Sequence, residues 1–221
     1  MGKLEIEIRI TNKDININTF KKKIKEIGAV RQQKEVVFYY MNYYHPLKKQ
    51  MSIRVRNEGS YTSLTVKTKK NKNDKYPMEY EVNVSDYKET NNILKLLGCT
   101  ENYGMQKLRE VWSFNNCKEI VFDTYPGAET FVEIECNDEK AIKNILKKVG
   151  LSTNLNDYKG LQMDKYYLNE YGIKPRKQYN GLTFLNAQKE LLSRATKNKK
   201  LFIKRLTIQI KKHNKQLQEL K

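Results

Sequence analysis

The sequence has few of the residues that build the commonest catalytic and structural metal sites. Its 221 residues include only three cysteines and two histidines, and Cys99, Cys117 and Cys136 form no Cys-x-x-Cys pair. This scarcity argues against a zinc site and against a histidine-based catalytic triad. Because the cysteines are odd in number and far apart, we expect ordinary reduced thiols in a cytoplasmic protein.

Long apolar runs are absent as well. No stretch of about 18 apolar residues occurs, so we predict no transmembrane helix. Residues 1–5 do not begin the apolar core that a signal peptide needs. There is also no Gly-x-x-x-x-Gly-Lys-Ser/Thr segment, which excludes a P-loop nucleotide site. These absences predict a soluble protein that binds any nucleotide by another route.

Negative charge is scarce relative to positive charge. The chain has 43 lysine and arginine residues against 25 acidic ones, a net charge of +18. Residues 174–221 hold 14 of the basic residues and only two acids, Glu190 and Glu219. A basic protein commonly has anionic partners such as nucleic acids, phospholipid surfaces or phosphorylated small molecules. The excess charge predicts such a partner and lies mostly in the C-terminal part.

Most of residues 1–173 alternate apolar and polar side chains with a period of two, which predicts β-strands. Eight such segments are residues 4–10, 34–40, 51–57, 62–68, 78–84, 107–114, 118–124 and 130–136. Residues 19–27, 86–97 and 138–149 have helical spacing and are each followed by a glycine, and Ser85 is the expected N-cap of the second. We therefore predict an α+β fold in which an antiparallel sheet closes or nearly closes and helices cover its apolar face.

Residues 174–221 differ from the rest in composition. Leucines and isoleucines recur there at helical spacing among lysines, which predicts one or two basic amphipathic helices interrupted near residues 196–200. The extension either packs on the body or serves as an electrostatic arm for RNA or a membrane surface. We divide the chain into a body of residues 1–173 and this extension. We also expect a protein ending near Ile173 to keep activity on small substrates.

Charges of like sign share one face of several predicted strands. The acidic pairs are Glu5/Glu7, Glu79/Glu81 and Glu133/Glu135, and the basic pairs are Arg54/Arg56 and Lys107/Arg109. Like charges this close repel each other unless an opposite charge lies between them. If these faces curl inward, carboxylates would hold a hard cation such as Mg²⁺ or Mn²⁺, and basic residues would hold phosphate. The alternative is a solvated outer face.

The order of these residues resembles a known family. Glu5-Ile6-Glu7-Ile8-Arg9 is similar to the Glu-x-Glu-x-Lys signature that opens CYTH domains, also called triphosphate tunnel metalloenzymes. Further residues of this chain resemble the family's later motifs and occur in the same order: Arg54/Arg56, the Leu64 to Lys67 segment, Glu79/Glu81, Lys107/Arg109, Asp123 and Glu133/Glu135. The resemblance covers residues 4 to about 173. Arg9 departs from it, since the usual lysine has the same charge but a different geometry.

The resemblance implies an eight-stranded antiparallel barrel whose tunnel holds a triphosphate and one or two divalent ions. By position, the implied metal ligands are Glu5, Glu7, Asp123, Glu133 and Glu135, with Glu7 and Glu135 as catalytic residues. The implied phosphate-binding residues are Arg9, Arg54, Arg56, Lys67, Lys107 and Arg109. Glu79 and Glu81 would support them, either by balancing the basic residues or by binding a second metal. Lys165 falls where some relatives have a helix that plugs the tunnel.

Three functions stay open at this stage. The first is metal-dependent hydrolysis of a triphosphate, such as a nucleoside or RNA 5′-triphosphate, tripolyphosphate or thiamine triphosphate. The second is cyclisation of ATP to cyclic AMP and pyrophosphate, which the similarity of residues 158–173 to cyclases of the family favours. The third is a non-catalytic module that binds polyphosphate or RNA. We expect Tyr39, Tyr40, Tyr43 and Tyr44 in a loop or at the tunnel rim, where one or two could stack on a head group.

Overall fold

The computed structural model describes residues 2–11, 14–48, 51–58, 61–71, 73–158, 162–174 and 181–219. The strands in this part of the chain are β1 (Lys3–Leu4), β2 (Ile6–Ile10), β3 (Val30–Tyr44), β4 (Met51–Asn57), β5 (Thr62–Thr68), β6 (Met78–Val84), β7 (Thr100–Phe114), β8 (Cys117–Thr124) and β9 (Thr130–Cys136). The helices are α1 (Ile17–Glu26), α2 (Tyr87–Leu96), α3 (Glu139–Lys148), α4 (Met163–Tyr171), α5 (Ala187–Glu190) and α6 (Lys199–Glu219). The predicted α+β class is confirmed.

The nine strands form one antiparallel sheet with the order β1-β6-β5-β4-β3-β7-β8-β9-β2. Strands β1 and β2 lie at opposite edges, although only Glu5 separates them in the sequence. The Glu5 N–H donates to the carbonyl of Pro77 at 3.0 Å. The chain therefore connects the two edges at Glu5, and the sheet curls around the face that carries the charged motifs.

The prediction of eight strands in a barrel differs from the structure in two respects. The first predicted strand is divided at Glu5 into β1, which pairs with β6, and β2, which pairs with β9. As a result, the described sheet has nine strands and is not closed by a continuous hydrogen-bond ladder. Strands β3 and β7 are each 15 residues long, about twice the predicted length, and they pair along most of that length through several register shifts.

Helices α1, α2 and α3 begin and end in the same way. An Asn or Asp side chain at each N-cap accepts a hydrogen bond from the backbone N–H three residues later; these pairs are Asn16 with Thr19, Asp86 with Glu89 and Asp138 with Ala141. The expected cap Ser85 is therefore wrong by one residue. Each helix ends before a glycine with positive φ, as at Gly28 (φ 100°), and the Ala29 N–H then donates to the Ile24 carbonyl at 2.9 Å.

The three helices bury most of the outer face of the sheet. Helices α1 and α3 pack on β2, β8 and β9, where Phe20, Ile24 and Ile145 are fully or almost fully buried. Helix α2 packs on β3 and β4 through Leu94. The outer side of β6 differs from the prediction, because Tyr80 and Val82 are 49% and 57% exposed there. The charged motifs are thereby left to the opposite, concave face.

The C-terminal extension packs against the body of the protein. Phe184, Leu191 and Phe202 are fully buried in one cluster with residues of β3, β7, β8, β9 and α4. The side chain of Gln209 accepts from the Gly127 N–H at 2.8 Å and donates to the Ala128 carbonyl at 2.8 Å, so α6 binds the turn between β8 and β9. The predicted interruption is confirmed, since α6 begins after Asn198, which has a positive φ of 53°.

The expectation of reduced, unpaired cysteines is wrong for two of the three. Cys117 and Cys136 are 19 residues apart in the sequence but lie opposite each other in β8 and β9, where they form a disulfide. The hairpin between these strands brings the two thiols together, which sequence distance alone conceals. Cys99 is free and buried. Among the helices in the described ranges, none has both the length and the apolar character to cross a membrane.

Candidate functional site

The concave face of the sheet encloses a cavity of about 1220 Å³. Most of the side chains predicted to form the site line it: Glu5, Glu7, Arg9, Arg54, Arg56, Lys67, Glu79, Glu81, Lys107, Arg109, Glu133 and Glu135. They converge because successive side chains of a strand point to opposite faces, and each motif places its charges two residues apart. Cross-strand register then puts Glu7 opposite Glu135, Arg9 opposite Glu133 and Lys67 opposite Glu79.

Three carboxylates at one place in the cavity could hold a metal ion. Glu5, Glu79 and Glu135 each offer an oxygen, and these oxygens lie within 4.8 Å of one another. An all-carboxylate set suits a hard divalent cation, which prefers oxygen ligands. We call these residues the acidic triad. Glu79, which we expected to balance the basic residues or to bind a second metal, belongs to this cluster, whereas Glu7 and Glu133 lie outside it.

Two lysines lie against the acidic triad. Lys118 Nζ is 2.8 Å from a Glu79 oxygen and 3.2 Å from a Glu135 oxygen. Lys67 forms an ion pair with Glu5 and lies 3.5 Å from Glu79. Partial burial opposes the charged form of Lys118, but the hydrogen bond to Glu79 and the nearby carboxylates outweigh it and raise the pKa of Lys118 well above its usual value. In this structure, two ammonium groups compensate part of the negative charge of the triad.

Asp123, which we expected to be a metal ligand, lies outside the acidic triad. The residue is fully buried and is not among the residues that line the cavity. Arg109 donates to both of its oxygens, at 2.7 and 2.6 Å, and Lys107 donates at 2.7 Å. Burial alone would raise the pKa of Asp123, but the Arg109 and Lys107 charges hold it below its ordinary value. Both of its oxygens thus accept hydrogen bonds from cationic side chains that line the cavity, Lys107 and Arg109.

Two glutamates of the cavity have strongly raised pKa values. Burial, followed by repulsion from Glu133 and Glu5, raises the pKa of Glu7 to about 7. Burial also raises the pKa of Glu135 to about 7, opposed by Lys118 and reinforced by Glu119 and Glu79. A carboxylate with a pKa near neutral pH can accept a proton at that pH and release it again. These two residues therefore have the proton affinity of a general base.

Several buried donors in the cavity wall have no acceptor. Arg54 Nε, Asn42 Nδ2 and Gln33 Nε2 are buried without a hydrogen-bond partner in the described part of the chain, and all three residues line the cavity. Arg54 and Asn42 are direct neighbours across β3 and β4. A buried donor without an acceptor costs free energy. A ligand that supplies an acceptor at such a donor therefore gains binding free energy there. Phosphate oxygens would supply such acceptors.

The other basic residues of the cavity are already paired. Arg9 forms an ion pair with Glu133, and Arg109 also approaches Glu133 at 3.3 Å. Arg56 forms an ion pair with Glu58 and lies 3.4 Å from Glu81, which also accepts from the Thr65 hydroxyl at 2.9 Å. Burial and the neighbouring Arg109 lower the pKa of Lys107 to about 7. An anion that binds here would share these cations with the wall carboxylates.

Tyrosines form part of the cavity wall. The expected loop position of the four clustered tyrosines is wrong, because all of them lie in β3. Tyr40 and Tyr44 line the cavity, whereas Tyr39 and Tyr43 face α2, where Tyr39 contacts Tyr87 edge to face. Tyr103 and Tyr125 extend the wall, and the Tyr103 ring packs against Tyr40 with centroids 6.2 Å apart. The cavity thus offers aromatic surface as well as charge.

Some residues of the cavity were not found by sequence reasoning, and two predicted residues, Asp123 and Lys165, are not among those that line it. Lys118 and Glu119 both line the cavity because the ladder between β8 and β9 shifts register between Cys117 and Glu119. Strict alternation would send these two neighbours to opposite faces. Lys165 is exposed on α4 and is not a lining residue, whereas Asp164, its neighbour, lines the cavity.

Comparison with known proteins agrees with this geometry. Residues 3–167 match the sequence profile of the CYTH domain. A proposed adenylate cyclase from Vibrio parahaemolyticus has 17% identity and a TM-score of 0.60, over 76% of this chain and 99% of its own. The PH1012 protein of Pyrococcus horikoshii has 23% identity and a TM-score of 0.55, over 67% of this chain and 91% of its own. No curated protein sequence matches the chain with significance.

The match extends over well more than half of the chain, so this protein belongs to the CYTH domain family. The solved structures, at these identities, show that the fold is shared. CYTH tunnel enzymes are metal-dependent, and the acidic triad is a group of carboxylates that could hold a metal ion.

Proposed function

We propose that this protein is a metal-dependent triphosphatase that hydrolyses the terminal phosphoryl group of a triphosphate held in the cavity. The observation that carries the proposal is the juxtaposition of opposite charges within one enclosed space. Carboxylates suited to a hard cation lie beside basic side chains, and Arg54 Nε, Asn42 Nδ2 and Gln33 Nε2 still lack an acceptor. A triphosphate would supply acceptors for these donors, and its metal would supply the cation for the carboxylates.

The cationic residues would bind and orient the phosphate chain. Arg54 has a buried donor without a partner, so it is the first contact we assign to a phosphate oxygen. Arg9, Arg56, Lys67, Lys107 and Arg109 line the same cavity and add positive charge around the chain. Asp123 would keep Lys107 and Arg109 in place through its buried ion pairs. Preorganised charges of this kind stabilise the transition state without reorganising.

The acidic triad would hold Mg²⁺ or Mn²⁺, which when bound neutralises phosphate oxygens and makes the phosphorus easier to attack. Glu7 is suited to accept the proton of the attacking water, because its pKa of about 7 lies near neutral pH. As the new bond from water oxygen to phosphorus forms, the bond to the bridging oxygen breaks and its electrons stay on the diphosphate. Glu135 could take the same proton when it does not bind metal.

The test is a product analysis with four substrates. ATP, tripolyphosphate, thiamine triphosphate and RNA with a 5′-triphosphate are each incubated with Mg²⁺, with Mn²⁺ and with EDTA. We expect orthophosphate release from at least one substrate, with loss of activity in EDTA. Cyclic AMP and pyrophosphate from ATP would assign the cyclase reaction instead, and binding without turnover of any substrate would leave only a binding module.

Variants at Glu7 test the catalytic assignment. Glu7→Gln keeps the shape of the side chain but cannot accept the proton, so we expect turnover to fall at least about a hundredfold with the fold retained. Glu26→Gln, an exposed change in α1, is the matched control and should behave as wild type. Turnover of Glu7→Gln within about tenfold of wild type, roughly 1.4 kcal/mol of barrier, would remove Glu7 from the mechanism.

A further inference from the structure

Lys118 reaches the cavity because of a local irregularity in β8. The pairing with β9 shifts register between Cys117 and Glu119, which leaves Lys118 as the extra residue of a β-bulge. Without the shift, Lys118 and Glu119 would point to opposite faces, but both line the cavity. The bulge therefore adds a cation to a face that strict alternation would have left without one at this position.

The contacts of Lys118 coincide with the acidic triad. Its Nζ atom lies 2.8 Å from Glu79 Oε2 and 3.2 Å from Glu135 Oε1, so it bridges two of the three carboxylates. The third, Glu5, forms an ion pair with Lys67. Two of the three carboxylates that would coordinate a divalent cation are therefore the ones that the lysine engages.

We propose that Lys118 is a tethered counter-ion of the acidic triad, which holds Glu79 and Glu135 together in the metal-free protein and is displaced when a divalent cation binds. This inference rests on the metal-binding part of the proposed function. Three carboxylates this close repel one another, and a nearby ammonium group lowers that repulsion. Lysine suits the role, because its compact charge sits on a flexible four-carbon stem that can swing away, and the Lys118 side chain is 43% exposed.

Competition between the lysine and the metal has a measurable consequence. The observed metal affinity would be lower than the triad alone would give, because binding must first break the contacts to Glu79 and Glu135. Removing the ammonium group should therefore strengthen metal binding and lower the stability of the metal-free protein. A lysine that merely arranged the carboxylates for the metal would have the opposite effect on affinity.

The experiment is calorimetric titration with Mn²⁺ alone, without any triphosphate. Wild type is compared with Lys118→Met and Lys118→Gln, two neutral variants, and with Lys118→Arg, which keeps the charge. Lys75→Met is the matched control, since Lys75 forms an ion pair with Glu139 outside the cavity at 2.6 Å. We expect the Kd for Mn²⁺ to fall by at least about tenfold in both neutral variants, and to stay near wild type in the other two.

A second measurement, the melting temperature with EDTA and with Mn²⁺, checks that the variants fold. The neutral variants should have a lower melting temperature than wild type in EDTA, and Mn²⁺ should raise their melting temperature by more than it raises that of wild type. Equal or weaker Mn²⁺ binding by both neutral variants would overturn the inference. No Mn²⁺ binding by any variant would overturn it together with the metal-binding part of the proposed function. Tighter binding with no triphosphate hydrolysis would support the inference and reject only the proposed reaction.

Discussion

Glu7 and Glu135 lie directly opposite each other in the ladder between β2 and β9, with both side chains in the same cavity. Neither is a typical surface carboxylate, because the pKa of each is raised to about 7, chiefly by burial. Because both carboxyl groups titrate differently in the folded and unfolded states, the stability of the fold depends on their protonation.

This pair predicts how the metal-free protein responds to pH. Their folded-state pKa values of about 7 exceed the ordinary 4.5, so between these pH values the folded state binds more protons than the unfolded state. Their contribution to stability is full below pH 4.5 and is lost as the pH rises through 7. In EDTA, we expect the free energy of unfolding to be about 1 to 2 kcal/mol lower at pH 8 than at pH 6, allowing for solvent screening.

Chemical denaturation at the two pH values measures the effect. The double variant Glu7→Gln/Glu135→Gln should lose most of the pH dependence, and the exposed control Glu26→Gln should retain it. A metal-free protein as stable at pH 8 as at pH 6 would mean that these carboxylates titrate at ordinary values.

The strands and the inward charges could be predicted because both follow from period-two alternation. Glu5, Glu7, Arg54 and Arg56 needed only the rule that alternate side chains share a face. Lys118 could not be found in this way, because a register shift between strands depends on both partners and leaves no periodic signal. The resemblance assigned a metal role to Asp123, since it cannot reveal that Arg109 and Lys107 already engage both carboxylate oxygens.

Pairings that depend on tertiary structure were also beyond the sequence. Cys117 and Cys136 are joined only because β8 and β9 form a hairpin. The packing of Phe202 against the turn at Gly127 likewise depends on where the extension lies. Amphipathic spacing shows that a helix has an apolar face, but it does not identify the surface that this face covers.

Asp123 should prove to be a structural ion-pair residue. Asp123→Asn removes a buried charge that Lys107 and Arg109 share, so two buried cations lose their compensation. We expect a loss of about 3 to 5 kcal/mol in the free energy of unfolding. The Kd for Mn²⁺, measured where the variant is folded, should stay near wild type, and the exposed Asp157→Asn should change neither quantity. A large loss of Mn²⁺ affinity with unchanged stability would restore the metal role.

The disulfide predicts a specific count of free thiols. Without reductant, the denatured protein should show one reactive thiol, from Cys99, and after reduction three. Because the bond closes a segment of 19 residues, its loss should lower the free energy of unfolding by about 3 kcal/mol on the chain-entropy estimate. The double variant Cys117→Ser/Cys136→Ser tests this, with Cys99→Ala as the comparison for the count. Three reactive thiols before reduction would favour the original expectation of free cysteines.

The packing of the extension on the body opposes the expectation that a protein ending near Ile173 stays active. Phe202 is fully buried beside the turn at Gly127, where a Cβ atom would collide with its ring. Phe202→Ala should therefore cost about 3 to 5 kcal/mol of unfolding free energy. Ile203→Ala, at a residue 44% exposed on the same helix, should change it by about 0.5 kcal/mol or less.

Removing residues 174–221 would uncover the whole cluster that Phe184, Leu191 and Phe202 help to fill, so we expect that protein to be insoluble or to melt far below the full chain. The charge of the extension can be tested separately. Replacing the exposed Lys204, Lys211 and Lys215 by glutamine leaves the buried face intact. If the lysines contact RNA, this variant should bind 5′-triphosphate RNA more weakly and with a shallower salt dependence, at unchanged stability. A soluble, active protein ending at Ile173 would show that the leucines and phenylalanines of the extension matter less than this packing implies.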